Sequence, residues 1–117
     1  MDFTETREAA ERMDKAAERL RNMSSQMGMA QQVREYDSDR RKNLLATYTV
    51  KFLKQDNGVA ASEAHARADE SYQKRLEDLS VQLEAAYVVI ARWNAAQAEF
   101  EAARSLLSLS KATMEIL

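Results

Sequence analysis

The stretch that decides the fold is SYQKRLEDLSVQLEAAYVVIARWNAAQAEFEAARSLLSLSKATMEIL, Ser71–Leu117. It holds no Gly and no Pro, and from Leu76 a seam recurs at alternating steps of three and four. The seam runs Leu76, Leu79, Leu83, Ala86, Ile90 and Trp93, then Gln97, Phe100, Arg104, Leu107, Lys111 and Met114. That spacing predicts one very long helix packed along its length. Straight helix over residues 71–112 spans roughly 63 Å, whereas a compact chain of this size has a radius of gyration of roughly 13 Å. The long helix cannot be enclosed by the rest of the chain, so a hairpin is expected.

Working back toward the start, Val59–Ala68 is Ala-rich and reads as a short helical connector over 59–69. Asp69 or Ser71 is placed to cap the long helix, 70–117. Asp56-Asn57-Gly58 is the clearest turn, where Asn or Gly can adopt the left-handed conformation that closes a helix. Before it, residues 30–56 form a second helix whose best apolar register is Val33, Tyr36, Arg40, Leu44, Tyr48 and Phe52. An N-terminal helix over 1–28 carries the thin stripe Ala9, Met13, Ala16, Leu20, Met23 and Met27. The two stripes differ by about one residue in phase, and Gly28 costs on the order of 1 kcal/mol in a helix interior, so a kink or short break is expected there. The expectation is a single all-α domain: an elongated antiparallel helical hairpin or three-helix bundle with coiled-coil character.

Composition narrows the function. The 117 residues are 45% hydrophobic and 31% charged, enough apolar content to fold as one domain. Net charge is −2, so no global field attracts nucleic acid or an anionic membrane. No Cys is present, which removes disulfides and thiolate chemistry and fits a reducing compartment. No basic leader, apolar signal or membrane-length apolar run is seen, so the expected location is cytoplasmic, without a membrane partner. With only Gly28 and Gly58 as glycines, a phosphate-cradling loop or nucleophile elbow cannot be assembled. No catalytic, cofactor or metal residues are assigned. His65, the single His, lacks ligands sharing its helical face, and the expected protein is not an enzyme.

Two surfaces compete as interaction sites. The first is apolar: Met13, Leu20, Met23 and Met27 form an adaptable methionine-bearing face, and Trp93, Phe100, Arg104, Leu107 and Met114 a second face near the C-terminus. Uncovered stripe on a hairpin predicts a homo-oligomer, dimer or higher, and docking of a protein partner on a helix face. The second is basic: Arg34, Arg40, Arg41, Lys42, Lys51 and Lys54 could meet phosphates, with Tyr36 or Tyr48 stacking on a base. Asp37 and Asp39 interleave with it, and Asp37 can pair with Arg41 at i,i+4. A third reading is a structural coiled-coil spacer.

Two pieces, Gly58–Ala68 and Ala98–Ser105 with Lys111–Met114, resemble small helical proteins encoded in the early and recombination gene clusters of tailed bacteriophages. The resemblance covers under half the chain and carries over no catalytic residue. It implies an accessory protein of the host cytoplasm, working beside single-strand annealing or replication proteins or against a host defence.

Overall fold

A computed structural model describes residues 3–116. The fold is all-α: α1 is Phe3–Leu53, α2 is Val59–Ala68 and α3 is Glu70–Ile116. The chain divides into two compact units, Met1–Gly28 with Val88–Leu117, and Met29–Tyr87.

The expected break at Gly28 does not occur, because α1 is one uninterrupted helix of 51 residues. Gly28 has no positive φ, and buried Met27 and Ala30 flank it. A single propensity penalty of about 1 kcal/mol is outweighed where the helix is anchored on both sides by packing. The phase shift also disappears. Past Ala30 the inward positions are Val33, Asp37, Arg41, Leu44 and Tyr48, so Tyr36 and Arg40 point outward. The reading by apolarity alone failed here because two charged residues occupy the seam.

The turn also differs in detail. Lys54, Gln55 and Asp56 donate backbone bonds to Val50, Phe52 and Leu53, and it is Asp56, at φ 62°, that takes the left-handed conformation. Asn57 instead donates its side-chain amide to the Phe52 carbonyl at 3.0 Å. Gly58 is extended (φ −66°, ψ 164°) and starts α2. Of the two expected caps it is Asp69, not Ser71, that closes the start of α3: its Oδ1 accepts the Tyr72 N–H at 3.0 Å.

Within the unit Met29–Tyr87, the core gathers around Tyr48, Ala66 and Tyr72, with Leu44, Leu45, Phe52 and Leu76 packed against it. The two tyrosine rings meet edge to face at 5.7 Å, and the Tyr48 hydroxyl lies 2.6 Å from Ser71 Oγ. Higher along the pair, Arg41 Nε donates to Asp37 at 2.9 Å and its Nη2 to Ser80 Oγ at 3.1 Å. The pairing order of Tyr48 with Ser71 and Arg41 with Ser80 makes these segments antiparallel.

The unit Met1–Gly28 with Val88–Leu117 is also an antiparallel helix pair, held by a Thr6–Ser110 hydroxyl contact and by Arg19 donating to Glu99 at 2.7 Å. Its interior is built from small residues: Ala9, Ala16, Ala96, Ala103 and Ser110 are buried, together with Met27 and Ile90. On α3 this moves the seam one residue back from the expected line. Gln97, Arg104 and Lys111 are exposed, while their predecessors Ala96, Ala103 and Ser110 face inward. Small side chains let two helix backbones approach closely, and each successive residue lies about 100° further round the helix.

Candidate protein interface

The structure sorts the candidate residues by orientation. Met13, Leu20 and Met23 are half-buried and Met27 is buried within the single chain, so the methionine stripe packs inward rather than standing free. Trp93, Phe100 and Leu107 are likewise half-buried, leaving Arg104 and Met114 exposed. Arg104 is engaged at the surface with Glu101 at 2.7 Å.

The basic candidates do not act as one patch. Arg41 is half-buried and held by Asp37 and Ser80, which takes its guanidinium out of any phosphate field. Arg40 is exposed and reaches Gln82 at 3.4 Å. Lys51 lies over the rings of Tyr48 and Phe52, at 5.8 and 5.7 Å from their centroids. Arg34, Lys42 and Lys54 are exposed, as is Tyr36, whereas Tyr48 is buried in the core and cannot stack on a base. His65 stacks on Phe52 at 5.6 Å. Among the described residues no group of three or more His, Asp or Glu side chains is arranged to hold a metal ion, and no helix is long and apolar enough to cross a membrane.

The surface that the sequence reading missed is the outer face of α3. Val88, Ala91, Ala95, Ala98, Ala102, Ser105, Leu109, Ala112 and Ile116 follow the same alternation of four and three as a seam, and all nine are exposed. Val88 is 49%, Leu109 60% and Ile116 85% exposed. The helix thus carries two apolar lines: the inner one meets α1, and the outer one stands exposed among the described residues. The signal was present as a second register in the same sequence, masked because attention to large side chains selected the Trp93–Phe100–Leu107 line. On α1 of the same unit the equivalent outward positions are Arg7, Glu11, Asp14, Glu18 and Arg21. One helix therefore turns charge to water, the other apolar surface.

Comparison with protein-family models, curated proteins and solved structures finds no match for this chain.

Proposed function

We propose that this chain is a non-enzymatic helical protein that works by protein–protein binding through a helix face, as an accessory or inhibitor encoded by a phage and acting in the host cytoplasm. The observation that carries the binding reading is the outer face of α3, where apolar residues at seam spacing stand exposed. Contiguous exposed apolar surface of this kind marks an interaction site in a folded protein. The phage assignment is supported by the sequence resemblance of Gly58–Ala68 and of Ala98–Ser105 with Lys111–Met114.

Binding to single-stranded nucleic acid is the second reading, and it now rests on Arg34, Lys42 and Lys54 together with Arg40. The loss of Arg41 to its ion pair and the burial of Tyr48 weigh against it. A coiled-coil spacer within a larger assembly is the third reading, and it shares the exposed α3 face with the first.

The test captures partners from host lysate on immobilised wild-type chain and on Val88→Glu/Leu109→Glu, with the bound proteins identified by mass spectrometry. The binding reading expects a stoichiometric protein, a further copy of the chain included, retained by the wild type and lost by the variant. Retention of nothing by the wild type, with steep salt-sensitive oligonucleotide affinity lost on Arg34→Glu/Lys42→Glu, would replace it with the nucleic-acid reading.

A further inference from the structure

Among the described residues none covers the outer face of α3, and three observations bear on what fits it. The first is extent. From Val88 to Ala112 the face runs about 36 Å along the helix, and its large residues Val88 and Leu109 are 49% and 60% exposed. That length suits a helix-to-helix contact with another chain.

The second is shape. Large side chains stand toward the ends of the face and small ones fill its middle. Laid parallel on itself, the face would set Leu109 on Leu109 and Val88 on Val88, holding the helices too far apart for the alanines between them to touch. Laid antiparallel about a two-fold axis passing between Ala98 and Ala102, it sets Val88 opposite Ala112 and Leu109 opposite Ala91, while Ala98 meets Ala102. Over Val88 to Ala112 each large residue then faces a small one, which allows native packing density at one constant separation. The face is complementary to its own reverse, as an isologous dimer interface requires.

The third is charge. Glu99 and Glu101 flank the middle of the face, where a two-fold axis brings like residues together. Both already have guanidinium partners in the chain, Arg19 and Arg104, each at 2.7 Å. The axis therefore does not set bare carboxylates against each other, and the net charge of −2 leaves little overall repulsion.

We propose that the outer face of α3, from Val88 to Ala112, docks a second copy of this chain in antiparallel register, forming a symmetric dimer. This rests on the reading of that face as a protein-binding surface and names its partner. Ala98 and Ala102 are at the centre, where an acidic side chain has no room and no counter-charge in the dimer but is solvated in the single chain.

The test is the mass of the full chain in solution by light scattering and sedimentation, from about 1 to 100 μM. Wild type is expected to weigh twice the chain mass. Ala98→Glu/Ala102→Glu is expected to weaken association by roughly 100-fold or more while keeping the wild-type helical circular dichroism, since both positions are exposed in the single chain. Leu109→Glu, toward the end of the face, should act in the same direction. Because the chain has no cysteine, disulfide trapping can read the direction. Val88→Cys mixed with Ala112→Cys should cross-link readily, and Val88→Cys alone should not, its two sulfurs being some 36 Å apart along the antiparallel helices. A monomeric wild type overturns the proposal. Were such a monomer still to capture a different protein through this face, the binding reading would survive; were it to capture none, both would fail. A dimer indifferent to all three glutamates, or one that cross-links through Val88→Cys alone, also overturns it.

Discussion

Replacing Gly28 with Ala should make this protein more stable. Gly28 lies deep inside α1, is exposed and has no positive φ, and a Cβ added there meets nothing within 4 Å. The substitution therefore creates no clash and removes no contact. What remains is the difference between Gly and Ala in a helix interior, about 0.8–1 kcal/mol, which arises mainly from the freedom that Gly has in the unfolded chain. Unfolding entropy of about 2.1 cal/mol/K per residue gives roughly 0.25 kcal/mol/K for a chain of this length, so the melting temperature should rise by about 3–4 °C. Gly58 supplies the control, since it also has open space for a Cβ but sits at the start of α2 in an extended conformation. Ala is a poorer helix cap than Gly, which offsets the gain in the unfolded state, and Gly58→Ala should move the melting temperature by less than about 2 °C. The assay is thermal unfolding followed by far-ultraviolet circular dichroism, with all chains at one concentration because the proposed dimer would make the midpoint concentration-dependent. A Gly28→Ala protein that melts at or below the wild-type temperature would refute the continuous helix and restore a break at that glycine.

Two further substitutions test the seams. Ala103 is 0% exposed, so Ala103→Leu should overpack the α1–α3 contact and cost about 1–3 kcal/mol in urea unfolding, whereas Arg104→Leu should stay within about 0.5 kcal/mol; the reverse order would put the seam back on Arg104. The Asp37 and Arg41 side chains are 17% and 32% exposed, and Asp37→Ala should cost about 1–3 kcal/mol by leaving a partly buried guanidinium with only Ser80. The double variant Asp37→Leu/Arg41→Leu should recover that loss, and a double variant less stable than Asp37→Ala would mean that the ion pair itself, rather than its rupture, sets the energetics.

Much of this architecture was legible in local signals. The absence of Gly and Pro and the spacing from Leu76 to Trp93 specify the long helix, because a helix is held by bonds between near neighbours in the chain. A cap at Asp69 or Ser71 and a turn at Asp56-Asn57-Gly58 are equally local, although the left-handed residue proved to be Asp56 and the cap Asp69. The basic patch was only partly legible, since its residue types are plain but whether Arg41 is free depends on what lies across the helix pair.

The sequence by itself therefore determined the helices, the long C-terminal one above all, and the antiparallel order that the turn imposes. Tertiary structure decided which of two apolar lines on α3 faces inward. A helix sequence specifies angular positions around an axis, and both the Ala96–Ala103–Ser110 line and the Val88–Leu109–Ile116 line have seam spacing. Only the partner helix selects between them: α1 offers Ala9 and Ala16, which can approach closely against small residues, so alanine and serine are buried and Leu109 is left outside. Likewise no local rule announces that Asp37 and Arg41 belong in the interface. Their place is set by the continuous phase of α1 through Gly28, and Ser80 across the pair supplies the hydroxyl that makes it tolerable.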